Sequence, residues 1–400
     1  MNKSIEQLLT ISKKKTLNII GLMSGTSLDG LDIALCSISG NGLQTEINLK
    51  QFITIPYCDK FRNELELISS KKNIDLQQLC IINTHIGIHY ANLINEALHS
   101  WGIKNSEIDI IASHGQTIYH APKQFHQKSD FHNSTLQIGD ADQIAVITGI
   151  TTISDFRQKH IAAGGEGAPL AAYGDYILFA SQNTNRILLN IGGISNCTYI
   201  PKNANFNEVI CTDIGPGNKL IDSWVKNNYE NLHYDEESLI AKSGKVNYAL
   251  LNSLLSHSFF SLPVPKTTGP ELFNLDFVSA AIEASNTKHL SNEDIISTLT
   301  AMSAIAIINQ LETLIKNDNS NEIIVSGGGI HNPLIMEYLQ NNFEQASFKT
   351  TAEVNINPDA KEAILFAILA NEMIAGDEST FGSGSISMPN ISMGKISFPI

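Results

Sequence analysis

The chain begins with a polar stretch, residues 1–15, that ends in Lys13-Lys14-Lys15 and gives way to Leu17-Asn-Ile-Ile-Gly-Leu-Met23. A short apolar run of this kind suits a buried strand. Ser24-Gly25-Thr26-Ser27-Leu28-Asp29-Gly30 follows as a turn, Leu31 to Ile38 as a second strand and Glu46 to Ile55 as a third. Together they predict an antiparallel meander whose first turn is rich in glycine and hydroxyls. Helical spacing covers 60–69 and 76–98, residues 107–112 read as a strand leading into Ser113-His-Gly-Gln116, and the apolar run 145–153 reads as a strand ended by Asp155.

The same rhythm returns in the middle of the chain. Residues 186–191 form a strand, Gly192-Gly193 a turn, 195–200 a second strand and 208–212 a third. Helical patterns follow near 217–227, 239–257, 277–283 and 294–316, then a strand at 322–326 broken by Gly327-Gly328-Gly329, and an apolar helix at 361–375. Strands alternating with helices imply α/β layers. Their repetition implies two similar halves flanking a cleft. The predicted organisation is an extension (1–15), a first α/β domain (16–150) on which 376–400 packs back, and a second α/β domain (151–375).

Composition narrows the function. Lys and Arg number 26 against 40 Asp and Glu, a net charge of −14, which argues against a nucleic-acid surface. Backbone amides can still hold a small anion against that sign. The apolar stretches are too short to span a bilayer, so no membrane partner is expected. The cysteines (36, 58, 80, 197, 211) are few and scattered, which fits a reducing cytoplasm. His114, His120, His126 and His132 cluster at a spacing that matches no common metal pair.

Several segments carry chemistry. A turn such as Met23–Gly30 can aim N–H groups and hydroxyls at phosphate oxygens, and Asp29 and Asp32 could orient water on a magnesium ion. Asn190-Ile-Gly192-Gly193-Ile-Ser195-Asn196 is the matching turn of the second half. Asp213-Ile-Gly215-Pro-Gly217-Asn218 stands at a strand-to-helix turn that favours anions. Ser326-Gly327-Gly328-Gly329 would let a flat purine or ribose approach the backbone, although a tight strand–helix turn explains it equally well. Asp155 sits at a strand end before the glycine loop Ala162–Pro169, a usual place for a general base. Arg157 could share its face in an extended chain and hold it ionised; a structural Asp–Arg pair is the simpler alternative. Thr267–Asn274 is a polar loop suited to a substrate. Glu362, at the start of the last apolar helix, suits either a site role or the helix dipole.

Taken together these segments resemble the anhydro-N-acetylmuramic acid kinase family. The resemblance rests on Gly21–Gly30, Ser113-His-Gly-Gln-Thr117, Leu136–Asp140, Asp155-Phe-Arg157 with Ala162–Pro169, Asn190–Asn196, Asp213–Asn218, Thr268–Asn274, Thr298-Leu-Thr300 and Gly327–Gly329, in order along most of the chain. It implies a ribonuclease H-like fold of the sugar kinase, Hsp70 and actin superfamily in each half. It also implies ATP and Mg2+, a cytoplasmic location and a homodimer. The family's phosphate loop maps to Gly25, Thr26, Ser27, Leu28, Asp29, Gly30, Leu31 and Asp32. The nucleotide contacts continue at Asn190, Gly192, Gly193, Asp213, Gly215, Gly217, Asn218, Gly327, Gly328 and Gly329. Catalysis maps to Asp155 and Glu362, and sugar binding to His114, Gln116, Arg157, Gly164, Gly165 and Glu166. His160 and Glu166 stand where the family pattern usually carries Asp and Gln.

The implied reaction is ATP-dependent opening of 1,6-anhydro-N-acetylmuramic acid with phosphorylation of O6, giving N-acetylmuramic acid 6-phosphate in peptidoglycan recycling. The alternatives are a kinase of another amino sugar and a nucleotide-dependent hinge protein that binds partners.

Overall fold

The computed structural model describes residues 2–25, 27–269, 272–315, 320–354, 357–376 and 389–399. The strands are β1 (Thr16–Ser24), β2 (Gly30–Ser39), β3 (Glu46–Pro56), β4 (Ile110–Ala121), β5 (Ser134–Ile138), β6 (Thr152–Ser154), β7 (Asn185–Ile191), β8 (Ile194–Ile200), β9 (Ile210–Pro216), β10 (Asn321–Ser326), β11 (Ser347–Thr350) and β12 (Lys395–Ser397). They form two mixed sheets. One runs β12-β6-β4-β1-β2-β3 with β5 added beside β4, and the other runs β11-β10-β7-β8-β9.

Compared strand by strand, β3-β2-β1-β4-β6 and β9-β8-β7-β10-β11 share one pattern. In each, a meander of antiparallel strands is followed by parallel additions beside its first strand. This is the duplicated α/β topology that the repeated strand–turn–strand rhythm implies.

By contacts the chain divides into two compact units, residues 1–178 with 205–207 and 359–400, and residues 179–204 with 208–358. The sequence reading groups the helix Lys361–Ala375 with the second half, but it packs on β1, β2 and β4 of the first. The cause is a close approach: a side chain at Gly21 in β1 would run into the Ala363 carbonyl. Only glycine lets the helix backbone lie directly on the strand. Ala363, Phe366, Ala367, Ile368 and Ala370 are consequently buried in the first unit. In the second unit the helix Asn292–Leu314 fills the core with Ile296, Leu299, Met302, Ile307 and Leu311. Against the sequence reading that every apolar stretch is too short, this helix is by length and composition able to cross a membrane, but 78% of its apolar window is buried in the protein.

Two elements differ from their sequence patterns. Of the apolar run 145–153, the first part belongs to a helix, Ala141–Thr148, and only Thr152–Ser154 is strand. The Asp140 carboxylate accepts from the Asp142 N–H at its start, and Gly149 closes it at φ 73°. Short apolar runs leave helix and strand unresolved, and here the end caps decide. The pattern over 239–257 is two helices, Leu239–Ser243 and Tyr248–Leu255, parted at Gly244 and restarted by the Asn247 cap.

Candidate active site

In the first unit the β1–β2 turn, the end of β6 and the start of the Lys361–Ala375 helix carry the acidic candidates. At the turn, Leu28 adopts φ 56°, and Asp29 is exposed and accepts from Ser27 Oγ at 2.8 Å. Thr26 lies outside the described residues. Gly30 and Leu31 open β2 and are buried, so the turn and not its exit strand offers surface. Asp32 accepts from Thr54 Oγ1 at 2.6 Å. Burial lifts its carboxyl above the ordinary range; the Thr54 hydroxyl opposes this, and the like charges of Asp29 and Asp359 add to it. Asp29 and Asp359 thus add negative charge near a carboxyl that is itself partly buried.

Asp155 follows β6 directly and begins the helix Phe156–Ala162. It takes a left-handed backbone, φ 57°, which non-glycine residues tolerate only under constraint. Its carboxylate makes no cap to its own helix. Instead it meets Lys395 Nζ at 3.1 Å from β12, the antiparallel neighbour of β6. Arg157 is therefore not its partner. The chain turns helical after Asp155, and that carries Arg157 to another face. There its Nε donates to His114 Nε2 at 2.9 Å and an NH1 donates to the Gly167 carbonyl at 2.7 Å.

Burial brings the Arg157 guanidinium down to about 10, and Glu362 pulls it back up. Burial, then the Arg157 charge, holds His114 well below its ordinary range, so the imidazole is neutral and accepts from Arg157. His114 and Gln116 have almost no exposed surface. His114 holds Arg157, and Gln116 Nε2 donates to the Gly25 carbonyl of the β1–β2 turn at 3.0 Å. Asn133 Nδ2 donates to the Gly165 carbonyl at 3.2 Å, and His160 Nδ1 accepts from the Gly167 N–H at 2.9 Å. The loop of Gly164, Gly165 and Glu166 is thus braced at several points, and Glu166 keeps partial exposure. His160 is fully buried against the Tyr173 ring and serves as this loop's internal support.

Glu362 keeps an accessible side chain at the helix start. Surrounding protein raises its carboxyl; Arg157 and Lys361 lower it, and Asp32 and Asp175 raise it further. Lys361 is itself paired with buried Asp175 at 2.8 Å. Because the raised value favours the protonated folded state, stability contributed by this group is lost as pH rises from its ordinary 4.5 through the raised value. Glu362→Gln is expected to remove that loss and leave the unliganded protein at least as stable at neutral pH. Thermal melting of both forms from about pH 4 to pH 7 checks it; a steeper decline in the variant would contradict the sign.

In the second unit three turns meet. The Gly217 N–H donates to the Gly193 carbonyl and the Asn218 N–H to the Gly192 carbonyl, each at 2.9 Å. Ser303 Oγ fixes the Gly217 carbonyl from the core helix at 2.8 Å. Gly327 holds φ 83°, and a side chain there would meet Asn190 Oδ1 at 2.6 Å and the Ile191 carbonyl at 2.7 Å. Gly329 packs on Ile191, and Gly328 comes near Asn218 Nδ2. Gly215 lies against the Phe260 ring. Asp213 Oδ2 accepts from the Thr268 N–H at 2.9 Å, so it anchors the Thr267–Asn274 loop, of which Pro270 and Glu271 lie outside the described residues. The turns at 192–193 and 217–218 are thus bonded to each other, with the 327–329 turn packed against Asn190 and Ile191; Gly193 and Gly328 are exposed, while Gly215, Gly217 and Gly329 are buried.

Sequence reasoning missed Lys395 and Asp359. Each reaches its place through a strand pairing or helix packing hundreds of residues from its partner. Among the described residues no three His, Cys, Asp or Glu side chains form a closed metal cage.

The family model described as anhydro-N-acetylmuramic acid kinase matches residues 17–398. Curated relatives named anhydro-N-acetylmuramic acid kinase include one from Pseudoalteromonas atlantica, 52% identical over 400 residues with both chains covered completely. Another, from Pseudoalteromonas translucida, is 49% identical over 399 residues, again covering 100% of both. A third, from Bacillus cereus, is 39% identical over 384 residues, covering 95% of this chain and 99% of its own.

Proposed function

The chain belongs to the anhydro-N-acetylmuramic acid kinase family, and from that premise we propose which of its residues carry each part of the reaction. The enzyme is a kinase that uses ATP to open the ring of 1,6-anhydro-N-acetylmuramic acid and phosphorylate O6. Water forms the new bond to C1, the C1–O6 bond breaks, and O6 takes the γ-phosphoryl group. The products are N-acetylmuramic acid 6-phosphate and ADP. O6 departs as a developing alkoxide, so the base is needed at the water and not at O6.

Asp155 takes the proton of that water, as the base of an inverting glycosidase does. Its carboxylate is free of helix capping and 34% exposed, which supports the assignment. Arg157, held between His114 and the Gly167 carbonyl, presents a cation to the sugar beside Glu362. Glu362, with its raised carboxyl, is suited to exchange a proton with a sugar hydroxyl. The braced Gly164–Glu166 loop contacts the sugar. The β1–β2 turn, Gly25 to Asp32, takes the phosphates, while Asn190, Gly192, Gly193, Gly217, Asn218 and Gly327–Gly329 take the nucleotide. Asp213 and Gly215 shape that surface from behind.

A magnesium ion fits the carboxylates of Asp29 and Asp32, which would hold it through water. An ion of this kind supplies charge neutralisation on the phosphates. Family membership also supports a cytoplasmic homodimer that handles a cell-wall sugar.

The observation that carries this reading is the full-length match at 52% identity. Mass spectrometry of products formed in heavy-oxygen water tests it. Label at C1 with phosphate on O6 is expected; unlabelled C1, or a reducing sugar phosphorylated faster than the anhydro form, would overturn it.

A further inference from the structure

Beneath the β1–β2 turn runs a hydrogen-bond chain built largely of side chains that the reaction does not use. The Tyr57 hydroxyl donates to Ser24 Oγ at 2.8 Å, and Ser24 Oγ donates to Gln116 Oε1 at 2.6 Å. Gln116 Nε2 in turn donates to the Gly25 carbonyl at 3.0 Å. The Tyr57 hydroxyl is also bonded to the Tyr90 hydroxyl at 2.9 Å. All four side chains are buried. The backbone N–H of Tyr57 donates to the Asp29 carbonyl at 3.0 Å, and Arg62 Nε donates to the Leu28 carbonyl at 3.1 Å.

One residue thus grips the turn at both ends, by its hydroxyl at Ser24 and by its backbone at Asp29. A core that needed only apolar filling would be served by phenylalanine at 57 and 90. Burying two phenol hydroxyls is unfavourable unless each is hydrogen-bonded. Here they are bonded in a line that ends on the turn. A turn that binds phosphate through backbone groups must already have its shape when the ligand arrives, because its contribution comes from preorganisation.

We propose that Tyr57, backed by Tyr90 and assisted by Arg62, is a positioning residue that sets the shape of the phosphate turn through Ser24 and Asp29. This rests on the assignment of Gly25–Asp32 to the phosphates. The test is Tyr57→Phe in the full chain, read by steady-state kinetics and by calorimetric binding of a non-hydrolysable ATP analogue and of the anhydro sugar separately. Analogue affinity and kcat/KM for ATP should fall by about tenfold or more, with sugar affinity unchanged. Ser24→Ala should give the same signature, and the double variant should be no worse than the poorer single one, because both changes break one chain.

Equal losses for sugar and nucleotide, additive losses in the double variant, or unchanged ATP parameters would overturn the proposal. Should Tyr57→Phe fail to fold, Arg62→Leu, on a half-buried side chain, must show the same ATP-specific loss, and its absence overturns the proposal too. Analogue binding needs no turnover. A wild-type protein that bound nucleotide yet left the anhydro sugar intact would therefore refute the reaction and not this role.

Discussion

Asp155→Asn is expected to lower turnover of the anhydro sugar by about 10²–10⁴-fold, the usual worth of a positioned base, while nucleotide binding persists. The amide keeps the volume and the left-handed backbone that asparagine tolerates. What it loses is the capacity to take a proton from water. The fold should hardly notice: the partner Lys395 is 65% exposed, and exposed pairs of this kind contribute about 0–1 kcal/mol. The check is kcat with ATP and anhydro sugar beside calorimetric binding of an ATP analogue. Undiminished turnover would remove Asp155 from the reaction, and loss of both readouts would mean that the change acted through the fold.

The second large effect is expected at a residue with no chemistry. Gly21→Ala places a methyl group against the Ala363 carbonyl, a backbone atom that no rotamer change can move. Overpacking of this kind costs about 1–3 kcal/mol in a core, and the upper end is expected here because a whole helix must lift. That helix begins at Lys361 and carries Glu362 toward Arg157. The variant should melt at lower temperature, and any protein that folds should show reduced kcat. A variant with wild-type melting and kcat would show that the strand–helix contact is looser than described.

Much of this architecture could be read from residue patterns. Glycine-interrupted apolar runs marked both meanders, because a buried strand and its tight turn impose local rules on sequence. Asp155 stands out as a candidate because a carboxylate just before a glycine loop is unusual. Its partner was not visible. Spacing suggested Arg157, but the left-handed residue at 155 starts a helix and turns Arg157 toward His114. Lys395 takes its place through the pairing of β12 with β6, which nothing in the three residues Lys395–Ser397 announces. The Lys361–Ala375 helix was visible as a helix and silent about its neighbour, since it is apolar on nearly every side. The hydrogen bonds by which Tyr57 and Tyr90 reach the β1–β2 turn are equally silent in the sequence. A buried tyrosine reads as core until the atom that its hydroxyl reaches is known.

The division of the chain also bears on how the protein is made. Unit one is discontinuous: Asn371 Nδ2 donates to the Gly40 carbonyl across 331 positions, and the segments that supply Glu362 and Lys395 are made only after the whole of unit two. Long-range closures of this kind are slow to form. The 208–358 stretch, by contrast, finds its partners within a nearly contiguous span, so it can condense on the nascent chain while β1 still waits with Gly21 uncovered. A chain interrupted before residue 361 would lack the helix that covers Gly21 and carries Glu362, and the lysine that meets Asp155. In such an order of assembly the first sheet stays open until residues 359–397 have been made, and prematurely released chains leave it for chaperones and proteases to recognise.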